Sequence, residues 1–290
     1  MTEFFGFLNI HKSHGMTSHD VVAKVRRGLK IKKVGHAGTL DPMATGVLIV
    51  CVGGATRLSE YVMQSTKKYR ARVHFGVTTD TYDAEGEKQL IRDASHITRD
   101  DVESKLAQFL GDIQQIPPMY SAIKQGGRKL YDMARAGEVV EREPRPVRID
   151  VLEIVDWSPP ECTVDVTCSA GTYIRSLAYD LGEMLDVGAH LTGLIRLASG
   201  GFVLENAVTL DDLLTADDWT QFLIPPQNAL TDWPALQLNA EDADHIAHGR
   251  PIQNVDLGLN GLAFAYAPDG ELIAIVQPDN GLLRPHKVFL

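Results

Sequence analysis

Residues 35–48 read Gly-His-Ala-Gly-Thr-Leu-Asp-Pro-Met-Ala-Thr-Gly-Val-Leu, and an uninterrupted apolar run continues from there to Val52. The glycine-rich first part predicts a turn, and the apolar second part is typical of a buried strand. Glycines let a ligand approach the backbone closely, and Pro42 stiffens the turn that presents Asp41. Spacing alone favours a structural Asx-turn, with a functional carboxylate at Asp41 as the alternative.

The segments on either side of this stretch predict a mixed α+β fold. Thr17 and Asp20 have the spacing of a capping box, ahead of a helix with an apolar stripe from Val21 to Leu29. The other face of that helix is basic, and the basic residues are Lys24, Arg26, Arg27, Lys30, Lys32 and Lys33. Further strands are predicted near residues 7–10, 69–77, 148–157, 162–169, 189–197 and 202–208, and a second long helix follows Gly171-Thr172. Because the spacing is not that of βαβ units, we expect a mixed sheet with flanking helices.

Residues 116–148 form a long excursion without strong periodicity. The segment contains Pro117-Pro118, the pair Gly126-Gly127, a short helical pattern at 130–136 and seven basic side chains. So long an insertion inside a domain is usually functional or mobile.

The C-terminal part of the chain predicts a separate β-rich module. Pro225-Pro226 marks a linker, so we predict domains at 1–224 and 225–290. Asn239 begins a short helix, and Pro268-Asp269-Gly270 and Asp279-Asn280-Gly281 are hairpin signals. Residues 225–290 hold 3 Lys and Arg against 8 Asp and Glu, which makes this module a poor phosphate-binding surface.

Composition excludes several classes of protein. The 290-residue chain is 44% hydrophobic with a net charge of -10, but residues 1–150 carry 23 basic against 18 acidic side chains. A polyanion would therefore meet a local basic surface in the first half only. No signal peptide, membrane span, paired cysteines, metal motif or phosphate loop is recognisable, so we expect a cytoplasmic protein without metal.

Six motifs, in order across about residues 6–210, together resemble the TruB-type tRNA pseudouridine-55 synthase family. The motifs are residues 35–48, Gly15-Met16-Thr17-Ser18-His19-Asp20, Lys67-Lys68-Tyr69, Thr79-Asp80-Thr81-x-Asp83-x-x-Gly86, Pro117-Pro118-x-Tyr120-Ser121-Ala122-Ile123-Lys124 and Gly171-Thr172-Tyr173-Ile174-Arg175-Ser176-Leu177. The resemblance implies a largely antiparallel mixed sheet of the pseudouridine synthase type and a C-terminal module that is PUA-like. The chain departs from the family where Asp-Lys-Pro is usual, because it reads His11-Lys12-Ser13.

The resemblance also implies the chemistry and its residues. Asp41 is the catalytic aspartate that attacks a flipped uridine, at carbon 6 of the base or at the sugar carbon. Tyr69 stacks on the base and helps to remove the carbon-5 proton, and Arg175 pairs with the Asp41 carboxylate. The isomerisation of uridine to pseudouridine needs no cofactor.

Substrate binding is implied for a second set of residues. His36 fills the space left by the splayed bases, and Leu194 lies under the uracil ring. Lys12 is a further substrate contact, and 116–148 is an RNA-gripping loop whose basic residues include Lys124, Arg128 and Lys129. The expected partner is the T arm of tRNA, with no protein partner and a monomeric state. The alternative is an RNA-binding or tRNA-folding protein that acts without, or in addition to, catalysis.

Overall fold

The computed structural model describes residues 4–253 and 259–289, as a mixed α+β fold with two main sheets. The strands, in chain order, are β1 (Gly6–Lys12), β2 (Val34–Ala37), β3 (Thr45–Val52), β4 (Lys67–Phe75), β5 (Val77–Thr79), β6 (Lys88–Ile91), β7 (Gly111–Gln115), β8 (Lys124–Gln125), β9 (Arg128–Lys129), β10 (Arg145–Ser158), β11 (Glu161–Cys168), β12 (Ala189–Ser199), β13 (Phe202–Val203), β14 (Val208–Thr209), β15 (Ala235–Gln237), β16 (Ile252–Gln253), β17 (Ala263–Tyr266), β18 (Leu272–Asp279) and β19 (Leu282–Val288). The helices are α1 (Ser18–Gly28), α2 (Ser59–Met63), α3 (Arg99–Leu106), α4 (Leu130–Arg135), α5 (Ile174–Met184), α6 (Leu210–Thr215), α7 (Pro226–Ala229) and α8 (Ala240–Ala247).

The larger sheet has the strand order β14-β1-β3-β12-β4-β11-β10-β7, with β2 paired to β3 and β13 paired to β12. Its pairs are antiparallel except β1 with β14 and β3 with β12. The predicted fold class, a mixed and largely antiparallel sheet with flanking helices, is confirmed. The short parallel pairing of β3 with β12 is central for the site, because it sets the loop before β3 beside β12.

Strand β3 is buried on both faces. Leu48 and Val50 pack into the main core with α1 and α5, whereas Ile49 and Cys51 pack into a second cluster. The second cluster also contains Phe264 of β17. Alternation of side chains along a strand sends neighbours to opposite faces, so an uninterrupted apolar run is what a strand between two layers requires.

The capping box predicted at Thr17 is confirmed. The Thr17 hydroxyl accepts from the Asp20 amide at 3.1 Å, and the Asp20 carboxylate accepts from the Thr17 amide at 2.9 Å. The predicted strand over residues 202–208 is wrong. It divides into β13 and β14, separated by a 3-10 turn at Leu204–Asn206, because the chain must cross from β12 to the far edge strand beside β1.

The C-terminal module is a five-stranded sheet in the order β15-β17-β18-β19-β16, with α8 packed on it. Asn239 accepts from the Asp242 amide and begins α8, and hairpins form at both predicted turns. The predicted β-rich module is therefore confirmed. The exact division at residues 224 and 225 stays a prediction, since the second hydrophobic cluster joins residues from both sides of it.

Residues 116–148 contain more regular structure than the sequence predicts. Strands β8 and β9 form a hairpin across Gly126-Gly127, whose φ angles of 58° and 84° suit glycine. Helix α4 follows directly, and strand β10 begins within the segment at Arg145.

Candidate active site

Asp41 lies in the loop between β2 and β3, and the loop is tied to the start of α1. The Ser18 hydroxyl donates to the Leu40 carbonyl at 3.2 Å and accepts from the Leu40 amide at 2.9 Å. The Ala44 amide donates to the Asp41 carbonyl at 3.0 Å, which closes the turn. The Asp41 side chain keeps 33% of its surface exposed, so a ligand can reach its carboxylate.

Arg175, at the start of α5, faces both oxygens of that carboxylate. Its Nη2 donates to Asp41 Oδ1 at 3.0 Å, and its Nε lies 2.8 Å from Oδ2. The same guanidinium donates to the carbonyls of Thr81 and Tyr120, each at 3.0 Å. The Arg175 side chain is only 6% exposed, so its guanidinium holds the Asp41 carboxylate in a fixed orientation.

Asp83 is a second carboxylate at Arg175, which the sequence analysis quoted in a motif without assigning it a role. Its Oδ2 lies 3.5 Å from Arg175 Nη1, and its Oδ1 accepts from the Thr81 hydroxyl and the Glu85 amide. Burial raises the pKa of Asp83, while the Thr81 hydrogen bond and the Arg175 charge oppose that shift. One arginine thus connects the Asp41 loop to the turn between β5 and β6.

Tyr69 and Arg196 are opposite one another on β4 and β12. Burial raises the pKa of the Tyr69 hydroxyl, and a hydrogen bond from Arg196 acts in the other direction. Tyr69 therefore carries its proton at neutral pH. Leu194, two residues before Arg196, is opposite Ala71 and belongs to the main core cluster.

Arg196 is a functional candidate that the sequence analysis missed. It is 1% exposed, and it donates to the carbonyls of Val47 at 2.6 Å, Gly38 at 3.2 Å and Thr39 at 3.4 Å. Arg196 thereby joins the backbone of the Asp41 loop to the sheet. A signal was present, because an arginine inside an otherwise apolar strand is rarely buried without partners.

Lys12 is fully buried at the end of β1. Its Nζ donates to the carbonyls of Met16 at 2.7 Å, Ser13 at 3.1 Å and Pro42 at 3.2 Å. Burial lowers the pKa of Lys12 to about 8. The ammonium therefore contacts the protein's own turn and the Asp41 loop, and substrate binding by Lys12 stays a prediction.

His36, on β2, leads into the Asp41 loop. Its ring lies edge-on to His19 of α1 with 5.1 Å between centroids, and burial is the main reason that its pKa is lowered. The imidazole is thus half-buried and neutral at pH 7, and substrate contact by His36 stays a prediction.

Three exposed basic residues of 116–148 lie on the β8–β9 hairpin: Lys124, Arg128 and Lys129. Lys124 and Lys129 face each other across it, and Arg128 forms an ion pair with Glu138 at 2.9 Å. Tyr120, near the start of the segment, is joined to the active site by its carbonyl bond to Arg175. The segment and the Asp41 carboxylate therefore share one arginine.

Within residues 4–253 and 259–289, no helix is long and apolar enough to cross a membrane. The same residues contain no group of three or more His, Cys, Asp or Glu side chains placed to hold a metal ion. The three cysteines are buried, and burial raises the thiol pKa of Cys51 to about 12.

A long mixed sheet with an aspartate loop beside its central parallel pair, faced by a buried arginine, defines the pseudouridine synthase class. Comparison with sequence families agrees. "TruB family pseudouridylate synthase (N terminal domain)" matches residues 26–174, "tRNA pseudouridylate synthase B C-terminal domain" matches 175–227, and "tRNA Pseudouridine synthase II, C terminal" matches 233–290. The chain belongs to the TruB family of pseudouridine synthases, and it is an isomerase.

Individual relatives are similar over most of their length. The tRNA pseudouridine synthase B of Symbiobacterium thermophilum is 53% identical over 86% of this chain and 83% of its own. The protein of the same name from Synechocystis is 46% identical over 99% of both chains. A solved Cbf5-Nop10-Gar1 complex contains a chain with a TM-score of 0.75 and 26% identity, which covers 99% of this chain and 85% of that one.

Proposed function

We propose that this enzyme isomerises a uridine of tRNA to pseudouridine, that the uridine lies in the T loop at position 55, and that Asp41 is the nucleophile. The observation that carries the proposal is the Asp41–Arg175 pair, in which a buried guanidinium faces both oxygens of a carboxylate that remains one-third exposed. The names of the relatives support tRNA as the substrate class.

The reaction is an isomerisation, so substrate and product have the same composition. The Asp41 carboxylate attacks carbon 6 of the base or carbon 1′ of the ribose, and the bond between carbon 1′ and N1 breaks. The uracil turns, carbon 5 bonds to carbon 1′, and the bond to Asp41 breaks, which returns the free carboxylate. The carbon-5 proton is lost to solvent, and N1 gains a proton. The base must leave its stack before Asp41 can reach it, which requires flipping at a cost of a few kcal/mol.

Tyr69 and Leu194 supply the surface for the flipped base in this proposal. The two side chains share a sheet face with Arg196, because directly opposed residues of antiparallel strands point the same way. The phenol of Tyr69 keeps its proton at neutral pH, so its ring stacks on uracil as an uncharged platform. To accept the carbon-5 proton it must first lose its own, and Arg196 is the neighbour that favours its ionised form.

Two exposed basic regions support RNA binding. One is the β8–β9 hairpin. The other is what we call the α1 basic surface, which consists of Lys24, Arg27, Lys30 and Lys32. Among the described residues, none of these four side chains forms an ion pair. Helix α1 packs on β2 and is bonded to the Asp41 loop through Ser18, whereas β8 and β9 belong to the connection from edge strand β7 to β10.

The test is tritium release from tRNA transcripts labelled at carbon 5 of uracil, with mapping of the modified position. Release by wild type at the T-loop uridine, and none from Asp41→Asn, is the expected result. Activity of an Asp41→Asn protein purified free of wild type would contradict the nucleophile assignment. Tight binding without release from any transcript would instead favour the RNA-binding and tRNA-folding function.

A further inference from the structure

Tyr82 and Tyr179 form a stacked pair that no step of the proposed reaction uses. Their ring centroids are 4.0 Å apart with 20° between the planes. Tyr82 lies in the turn between β5 and β6, at the position that the Thr-Asp-Thr-x-Asp motif leaves open, and Tyr179 lies on α5. The stack therefore joins the turn between β5 and β6 to helix α5.

The backbone of Tyr82 is held in an unusual conformation. Its φ is +63°, in the left-handed region that a bulky side chain rarely adopts and that persists only where the surroundings determine it. The Tyr82 carbonyl accepts from the Leu191 amide at 3.0 Å, and the Ala84 amide donates to the Leu191 carbonyl at 2.9 Å. These bonds tie the turn to β12, and the stack ties it to α5.

Both neighbours of Tyr82 contact Arg175. The Thr81 carbonyl accepts from Arg175 Nη1 at 3.0 Å, and Asp83 Oδ2 lies 3.5 Å from the same atom. Tyr179 is four residues after Arg175, which places it one helical turn along the same face of α5. The turn and helix α5 are therefore in contact at two places. The Arg175 guanidinium contacts Thr81 and Asp83, and the ring of Tyr179 stacks on the ring of Tyr82.

We propose that the Tyr82–Tyr179 stack is a positioning element for Arg175. It holds the turn in the conformation that presents the Thr81 carbonyl and the Asp83 carboxylate, and these orient the guanidinium toward Asp41. The expected effect on kcat rests on the proposed function, whereas the expected effect on the conformation of the turn does not. Tyr82 and Tyr179 are positioning residues, since neither ring contacts Asp41.

The experiment uses three single variants of the full chain, the Tyr82→Asn/Tyr179→Leu double variant and one control. Tyr179→Leu removes one ring and keeps an apolar helix former, and Tyr82→Asn removes the other and keeps a residue that tolerates positive φ. Tyr82→Phe retains the stack. Tyr266→Leu deletes a tyrosine from β17 of the second sheet and serves as the matched control.

The first measurement is kcat and KM by tritium release. We expect kcat to fall about tenfold in Tyr82→Asn and in Tyr179→Leu through misplacement of Arg175, with KM for tRNA within about twofold of wild type. The double variant should lose no more than either single variant, because the two rings act as one unit. Tyr82→Phe and Tyr266→Leu should retain wild-type kcat.

The second measurement is hydrogen exchange at the Ala84 and Leu191 amides, in the protein without RNA. Exchange should be about tenfold faster in Tyr82→Asn and Tyr179→Leu than in wild type or Tyr266→Leu. Unchanged exchange overturns the proposal, and so does faster exchange with wild-type kcat. A Tyr82→Phe variant whose kcat falls as far as that of Tyr82→Asn also overturns the proposal. If wild type releases no tritium, the proposed function has failed, and the exchange rates alone decide whether the stack holds the turn.

Discussion

Gly46 and Arg196 approach so closely that a Cβ atom on the glycine would lie 2.3 Å from the arginine carbonyl oxygen. The two residues are register partners in the parallel pairing of β3 with β12, and Gly46 has a φ of +100°. The Asp41 loop enters the sheet at this contact. The Arg196 backbone and the absence of a side chain at Gly46 therefore set where the loop ends and β3 begins.

Gly46→Ala should destabilise the protein by about 3 kcal/mol, because the methyl group adds both a backbone clash and positive-φ strain. Urea unfolding measures the change. Gly201→Ala is the control, since a Cβ there has nothing within 4 Å, and it should shift stability by less than about 0.5 kcal/mol. Equal urea midpoints for the two variants would contradict this prediction, because they would show that β3 and β12 can move apart at Gly46 without loss of stability.

Arg196→Met should lower stability by about 2–4 kcal/mol, because the carbonyls of Gly38, Thr39 and Val47 lose their donor inside the protein. Activity should fall further than stability explains, since the same bonds position the Asp41 loop. Urea unfolding and tritium release measure the two effects. Arg72→Met is the control. It removes a guanidinium from a side chain that is 60% exposed, so it should change stability and activity little.

Lys12 should make the free energy of unfolding rise with pH between about 8 and 10.5. In that range the unfolded chain keeps a proton that the folded chain releases, because burial lowers the folded pKa from 10.5 to about 8. Lys12→Met should therefore have a less positive slope of unfolding free energy against pH than wild type, and urea midpoints at several pH values measure it. Lys67, whose pKa is also lowered to about 8, adds a contribution of the same sign as Lys12. The three buried thiols, whose pKa values burial raises to about 11–12, contribute with the opposite sign, so the comparison is between the two slopes. The exposed Lys24→Met variant should match wild type, and a wild-type slope in Lys12→Met would contradict the prediction.

Binding of tRNA should lose salt dependence when either basic region is neutralised. The pairs Lys124→Ala/Lys129→Ala and Lys24→Ala/Arg27→Ala should each lower the slope of log Kd against log salt by about 1.5, at roughly 0.7–0.9 per phosphate contact. Filter binding with the Asp41→Asn protein measures the slope without turnover. Arg284→Ala is the control, because Arg284 pairs with Asp279 at 2.6 Å in the C-terminal module. A slope unchanged in the Lys24/Arg27 pair would restrict RNA contact to the hairpin.

Local signals in the sequence predicted local structure well. Thr17, Asn239 and the Asp279-Asn280-Gly281 turn depend on residues within a few positions of one another, and each forms as predicted. The strand predicted at 202–208 failed because its division depends on β1, which is nearly 200 residues away.

The site was predictable only where a motif carried it. Asp41 and Arg175 were paired from family resemblance, and the structure brings them together. Arg196 was missed because its partners are carbonyl groups, which no sequence pattern displays. Asp83 lay inside a quoted motif, but its contact with Arg175 spans 92 positions and depends on how β5, β6 and α5 pack.

Strand β3 has a consequence for how this enzyme can be divided or recombined. The strand directly follows the Asp41 loop. On the face opposite the main core, its side chains Ile49 and Cys51 pack in one cluster with Phe264 and Ile275 of the C-terminal sheet. Lys287 of that sheet also pairs with Glu60 and lies 4.7 Å from the ring of Tyr61. Deleting the C-terminal sheet would uncover the back of the strand that directly follows the Asp41 loop. A grafted replacement would have to bring a matching apolar surface, so the C-terminal sheet is not an interchangeable unit.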